Sequence, residues 1–362
     1  MNIAFDTFYS FSDSNMRGIG TYSKSLIQQI MELNSKHTLF FFSPIPGSKS
    51  ELEKDRLKKF LERNSIDIYH ITSPIEYFFN YNELLDEDLF LNVKVAVTFY
   101  DVIPWIYKDI YLRNEKEKQH FIKMMNFINN CDLIFAISNK TKEDGIKHFN
   151  MNHEKVEVIH GGVDPLFKKT VDPTVLTNLG ITNPYLLFIG GMEFRKNLLG
   201  FIHAFGKIST HLPERYDIVL PGRFTETYLS QIKRIASLYH IDERLIFPGY
   251  LSLDHLVKVY SQAVLFVFPS LYEGLGLPVI EAMACGTPVL TSKTSSMDEI
   301  GGDSCYKINP SDIGDLANGM QTILTKPELQ KSFIEKGIIH AKSFTWPKTA
   351  LKVLNAYEKI IK

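Results

Sequence analysis

The stretch FPSLYEGLGLPVIEAMACGTPVL, residues 268–290, decides how the rest of the chain is read. Phe268 closes an apolar run that begins at Val264, the pattern of a buried strand. Gly274 and Gly276 form the loop that follows, and Pro278 sits where proline is favoured, in the first turn of a helix. Helix N–H groups left unpaired at that turn, with the positive end of the dipole, face whatever lies beyond the strand. Loop glycines let the backbone come close to it. The order strand, glycine loop, helix therefore reads as an anion site. Glu273 and Glu281 stand on either side of the loop. A carboxylate accepts two hydroxyl hydrogen bonds at once, which suits a vicinal diol. A glycine pair alone is equally compatible with a buried turn between two solvated glutamates; the complete string argues against that.

Working outward, short apolar runs alternate with segments of helical period along the chain. Strand patterns fall at 2–6, 38–43, 67–71, 93–99 and 132–137, and again at 185–190, 216–220, 244–247, 264–268, 288–291 and 304–308. Helical patterns separate them, at about 20–34, 51–63, 113–130 and 139–149 in the first half. Such alternation predicts parallel sheets covered on both faces. The turn-rich stretch from Gly161 to Pro184 reads as the linker between two of them. The expected fold class is α/β: two Rossmann-like, doubly wound parallel-sheet domains facing a cleft. Residues 1–165 form the first domain and 166–346 the second, with 347–362 a helix that crosses back onto the first. In open parallel sheets the ligand sits beyond the carboxyl ends of the strands.

A chain of 362 residues with 44% hydrophobic and 22% charged residues has material for two cores. A formal net charge of −1 speaks against a nucleic-acid partner. Cys131, Cys285 and Cys305 contain no C-x-x-C pair and read as reduced residues outside any disulfide or zinc site. The N-terminus runs directly into a strand pattern, without the layout of a signal peptide. No apolar run approaches the ~20 residues that span a bilayer.

The 268–290 string resembles the donor-site signature of retaining family 4 glycosyltransferases with the GT-B fold. Here the signature reads EGLGLPVIEAMACGTPV, with Leu275 where Phe is usual. The resemblance implies that Glu273 binds sugar hydroxyls, that Glu281 binds the ribose, and that the amides of Gly274, Leu275, Gly276 and Leu277 face the sugar and diphosphate. The segment GGMEFRKN, residues 190–197, is similar to the family's second phosphate-binding segment. It implies that Arg195 and Lys196 face the leaving diphosphate, where fixed cations stabilise developing negative charge. Arg223, in LPGRF, is a reserve cation. RGIGTY, residues 17–22, resembles the family's glycine-rich loop, so Gly18 and Gly20 are expected at the donor phosphate from the first domain. NPSD at 309–312, the preceding SSMDEIGG and the ending FTWPKTALKVLNAY also match.

After the strand pattern at 93–99, many members carry His-Asp at the catalytic cleft. This chain has Tyr100-Asp101. Tyrosine, with a reference pKa near ~10, is a poor base at neutral pH, and transfer with retention is usually written with the departing phosphate taking the acceptor proton. Asp101, Tyr100, Arg195, Lys196 and Glu273 are the residues expected to act in catalysis.

The expected activity is transfer of a sugar from a UDP- or GDP-linked donor to a glycan or lipid-linked glycan, in surface polysaccharide synthesis. It needs no cofactor and no metal. Asp86-Glu87-Asp88 matches a metal motif of another glycosyltransferase fold but lies in a polar stretch and reads as a solvated loop. The amphipathic run from Ile106 to Met125 reads first as a helix packing one face on the core. A sharper reading gives it contact with an anionic membrane that carries the acceptor, at the inner face of the membrane of a cytoplasmic enzyme. Two alternatives stay open: an inactive glycosyltransferase-like partner subunit, suggested by Tyr100, and a nucleotide-sugar 2-epimerase, which would not need the paired glutamates.

Overall fold

The computed structural model describes residues 1–11, 18–34, 36–45, 47–80 and 84–361, with 78–80 as backbone only. The chain divides into two compact units: Met1–Gly162 with Thr345–Lys362, and Val163–Phe344.

The first unit is built on a six-stranded parallel sheet. Its strands are β1 (Asn2–Asp6), β2 (Thr38–Phe42), β3 (Ile68–Ile71), β4 (Lys94–Phe99), β5 (Leu133–Ala136) and β6 (Val156–Val158), in the order β2-β1-β3-β4-β5-β6. Inner strands are buried on both faces; β3 and β5 expose nothing along their length. That is why they read as continuous apolar runs rather than alternating ones. Direction along the sheet reverses between β1 and β3. There the Asp6 carboxylate accepts from the Thr72 amide at 2.6 Å and the Thr72 hydroxyl at 2.5 Å, tying two strand ends together.

The terminal helix, Trp346–Ile361, belongs to this unit, as the crossover reading expects. It lies along helix Gly18–Leu33. Tyr357, fully buried, brings its hydroxyl 2.5 Å from His70 Nδ1 while His70 Nε2 meets Thr98 Oγ1 at 2.9 Å. Burial drives the His70 pKa down to about 3, so the ring is neutral.

The second unit carries β7 (Tyr185–Leu187), β8 (Asp217–Val219), β9 (Leu245–Ile246), β10 (Leu265–Phe268), β11 (Val289–Ser292) and β12 (Tyr306–Ile308). All pairs are parallel, in the order β12-β11-β10-β7-β8-β9. The reversal falls between β7 and β10, the Rossmann arrangement, whose ligands lie at that reversal beyond the strand ends. Leu186, Phe201, Phe205, Ile218, Val267 and Leu290 form part of its core.

Several elements differ from the sequence reading. β6 was not expected: three residues at a sheet edge leave too little pattern. The amphipathic run is not one helix. It breaks into Ile103–Ile106, Lys108–Tyr111 and Glu115–Asn130, the last capped by the Asn114 side chain on Glu117 N at 2.9 Å. The expected linker holds a helix, Pro173–Asn178, capped by Asp172. That segment packs on helix Leu253–Gln262: Thr170 N donates to Ser261 Oγ at 3.0 Å, and Lys258 pairs with Asp172 at 3.4 Å. Asp86-Glu87-Asp88 opens a short 3-10 turn, Glu87–Phe90, which Asp86 caps by accepting from Asp88 N at 3.1 Å while pairing with Lys54. The three cysteines are free and buried. Among the described residues no helix is long and apolar enough to cross a membrane.

Candidate active site

In the second unit the two loops that flank the sheet reversal carry the charges. The loop after β7 leads into the short turn Phe194–Lys196, and the loop after β10 carries Glu273. Arg195, Lys196 and Glu273 meet there. Arg195 Nη1 reaches Glu273 Oε2 at 2.5 Å, and Lys196 Nζ reaches Glu273 Oε1 at 2.6 Å. The cation side chains are 14% exposed and Glu273 8%. Arg195 Nε also pairs with Glu193 at 2.7 Å, and Lys196 Nζ stands 4.7 Å from the centre of the Phe268 ring. A backbone bond from Leu271 N to Arg195 O, at 2.7 Å, stitches the two loops together.

Burial alone would push the Glu273 carboxyl upward, but the charges of Lys196 and Arg195 overcome it and hold the group below the ordinary glutamate range. Burial pulls the Lys196 ammonium down, with Glu273 offsetting part of that. The result is a desolvated cluster in which two cations share the Glu273 carboxylate, with the more exposed Glu193 supplying Arg195 a second partner.

The loop from Glu273 to Leu277 is held from behind. Gly276 adopts φ +97, and a Cβ there would collide with the Met297 methyl, so only glycine fits. The Ser295 hydroxyl accepts from Glu273 N at 3.1 Å, and the Ser296 hydroxyl donates to Glu273 O and Leu275 O at 2.9 and 3.0 Å. These groups come from the helix Ser296–Gly301 and the residue before it. The serines open the segment SSMDEIGG that the sequence reading singles out; their hold on the Glu273 loop is what the structure adds. Helix Leu277–Ala284 starts at Gly276 without a side-chain cap, with Pro278 in its first turn. Gly274 and Leu275 are buried, and Leu277 is half-buried.

Glu281 lies further along the same helix, partly exposed, with Oε2 accepting from the Tyr260 hydroxyl at 3.1 Å. Protein surrounds its carboxyl on most sides and raises its pKa to about 7; the Tyr260 bond opposes the rise and Asp164 adds to it. Asn309-Pro310-Ser311-Asp312 supports the site from the edge. Asp312 caps helix Ile313–Leu324, and Pro310 O receives Asn197 Nδ2 at 2.7 Å. Arg223 is exposed in the turn after β8.

The other expected residues belong to the first unit. Gly18 and Gly20 are not in a loop: they form the first turn of helix Gly18–Leu33, and Arg17 lies outside the described residues. The Tyr100 hydroxyl donates to Thr72 O at 2.9 Å and stands 2.9 Å from Ser23 Oγ on that helix. Burial raises its pKa further above the ordinary tyrosine value. Asp101 Oδ1 accepts from Ile103 N at 2.8 Å and braces the turn after β4. His160 has φ +57 and its carbonyl accepts the Tyr22 hydroxyl. Among the described residues no group of His, Cys, Asp and Glu is arranged to hold a metal ion.

A Rossmann sheet whose reversal is lined by two cations, a carboxylate and a glycine-started helix defines a doubly wound α/β protein with its charged groups gathered at the sheet reversal. The profile described as glycosyltransferase family 4 matches residues 18–166, and that described as glycosyl transferases group 1 matches 177–340. The chain belongs to the family 4-like glycosyltransferases with the GT-B fold. It is 25% identical to the serotype-specific mannosyltransferase WbdA of Escherichia coli, over 100% of this chain and 48% of that protein. The chain thus spans about half the length of the WbdA proteins it matches. It is 24% identical to the O-antigen chain mannosyltransferase B of E. coli, over 95% of this chain and 96% of that one. Anabaena Alr3699/HepE, solved in complex with UDP and glucose, superposes with a TM-score of 0.78 at 16% identity, covering 99% of this chain and 100% of that one.

Proposed function

We propose that the chain is a retaining, metal-independent hexosyltransferase. It takes a sugar from a UDP- or GDP-linked donor and passes it to a glycan or lipid-linked glycan acceptor in surface polysaccharide synthesis, on the cytoplasmic side of the membrane. One observation carries this reading: Arg195, Lys196 and Glu273 converge at the sheet reversal of the second unit. A diphosphate arriving there finds two desolvated cations, and a sugar finds a carboxylate whose ionised form they sustain. Glu281 is assigned to the ribose, and the Gly274 to Leu277 backbone to the sugar and diphosphate. Gly18, Gly20 and Asp101 are assigned to the donor and acceptor from the first unit. Tyr100 is assigned to shaping that end of the site, since its hydroxyl is already held by Thr72 and Ser23. The relatives named as O-antigen mannosyltransferases favour a mannosyl residue, and the neighbour solved with UDP and glucose keeps uridine donors in play.

Transfer from a panel of UDP- and GDP-linked hexoses to lipid-linked glycans, with and without chelator, tests the proposal. The expected result is one preferred donor, a product that keeps the donor's anomeric configuration, and full activity in chelator. No turnover with any donor would favour an inactive partner subunit. Interconversion of donors without transfer would favour a 2-epimerase. Activity lost in chelator and restored by a divalent ion would remove the metal-independent mechanism.

A further inference from the structure

Glu281 differs from Glu273 in having no cation. Among the described residues no lysine, arginine or histidine pairs with it, and the Tyr260 hydroxyl is its hydrogen-bond partner, at 3.1 Å. Tyr260 is fully buried and cannot follow it. Its ring meets Phe167 and Phe266 edge-on, with centroids 5.9 and 5.3 Å away, and its carbonyl accepts the Thr287 hydroxyl at 2.5 Å. The phenol is fixed and the carboxylate comes to it. Glu281 keeps partial exposure.

We propose that Tyr260 is a positioning residue for the nucleotide sugar: its hydroxyl pins one oxygen of Glu281 and leaves the other set toward the ribose diol. The inference rests on the donor site proposed above. The titratable groups facing Glu281 are Tyr260 from helix Leu253–Gln262, Asp164 from the stretch after Val163, and Cys285 one turn along its own helix. None is cationic, so a carboxylate here is costly unless a ligand uses it. Burial raises the Glu281 pKa to about 7. It raises that of Tyr260 far above the ordinary value, so the phenol stays a donor throughout. The bond favours ionised Glu281, and an ionised carboxylate is the better acceptor for two ribose hydroxyls. Without the bond Glu281 holds its proton to higher pH, and nucleotide binding weakens over more of the neutral range.

The test measures binding of UDP and of GDP by calorimetry from about pH 5.5 to about 8.5, beside donor KM and kcat. It compares the wild type with Tyr260→Phe and Glu281→Gln. Tyr260→Phe should weaken binding roughly three- to tenfold at neutral pH. It should raise KM much more than it lowers kcat and move the pH midpoint of binding upward; a merely structural role for the phenol would not move that midpoint. An unmoved midpoint with unchanged KM overturns the proposal. If Tyr260→Phe does not fold, Glu281→Asp replaces it: the charge stays but withdraws from the phenol, and the same upward shift is required. Should Glu281→Gln weaken binding while Tyr260→Phe does not, Tyr260 alone is misassigned. Should Glu281→Gln bind like the wild type, or neither nucleotide bind the wild type, the ribose assignment falls and this inference with it.

Discussion

The hydroxyl of Tyr100 stands 2.9 Å from Ser23 Oγ, and both groups lean on the carbonyl of Thr72. A hydroxyl whose single proton is committed to a buried carbonyl has none to donate to an incoming acceptor, whatever its place in the sequence suggests. Tyr100→Phe should therefore keep kcat within roughly threefold and lower stability by about 1 kcal/mol, the worth of a buried hydrogen bond. Asp101→Asn preserves the acceptor that braces Ile103 N while removing the charge. It should cost more activity than Tyr100→Phe at equal stability. Initial rates and thermal melts on the two variants decide it. A dead Tyr100→Phe beside a normal Asp101→Asn would reverse the roles.

Glu273 has two jobs that substitution can separate. It neutralises Arg195 and Lys196, and by the proposed function it holds the sugar. Glu273→Gln releases Lys196 and leaves Arg195 only Glu193 as an ion-pair partner, so both cations can turn more of their charge to a diphosphate. Nucleoside diphosphate binding should hold or tighten, while transfer falls by roughly a hundredfold or more as a preorganised contact is lost. Stability should also drop, because a buried pair loses one member. Calorimetry and initial rates are the measurements. Parallel losses in binding and rate would mean that the contact is shared by ground and transition states.

What made the site legible was its concentration in one contiguous string. The glycine loop, the helix start at Pro278 and the two glutamates follow one another between Phe268 and Leu290. The lattice around them was not legible, because it is built across the sheet. Ser295, Ser296 and Met297 reach the loop from one other segment, Glu193 reaches Arg195 from a second, and Tyr260 reaches Glu281 from a third. Pairwise distances of that kind have no trace in local pattern. The strands were readable in number, except β6, since burial on both faces writes a continuous apolar run. Their ends were not: the pattern at 185–190 runs three residues past Leu187, because the turn after β7 is also apolar and glycine-rich. The break at Tyr107 failed to register because both neighbours keep a helical period, whereas the helical pattern at 113–130 agrees with Glu115–Asn130.

Two glycines are fixed by what stands against them. Gly276 combines φ +97 with the Met297 methyl, and Gly162 would drive a Cβ into the backbone of Trp346. Gly162→Ala meets backbone, which cannot give way, and should destabilise the fold by roughly 2 kcal/mol or more. Gly276→Ala meets the tip of a flexible side chain but must also hold a left-handed φ, so part of its cost should be recovered by Met297→Ala. Chemical denaturation of the single and double variants measures the coupling. Additive losses would show that the methyl contact is not the constraint.

Asp6 and His70 are both fully buried in the first unit, and they titrate against each other. Asp6 has its pKa raised from 3.8 to about 7 by burial, against the bonds from Thr72 and Tyr77. Between those values the folded protein holds a proton that the unfolded chain has lost. Stability from this group therefore falls as pH rises through the window and levels off above about 7. His70 runs the other way. Its folded pKa is depressed from 6.5 to about 3, so the unfolded chain holds the extra proton and stability rises with pH until about 6.5. Each group alone would tilt the curve by about 1.4 kcal/mol per pH unit, and over the shared window the tilts cancel. Asp6→Asn removes one of them. Asparagine keeps the acceptor for Thr72, so the fold should persist, but stability should now climb between pH 4 and 6.5 more steeply than in the wild type. Urea unfolding at a series of pH values gives both curves. If they run parallel across that window, Asp6 is not holding its proton in the folded state.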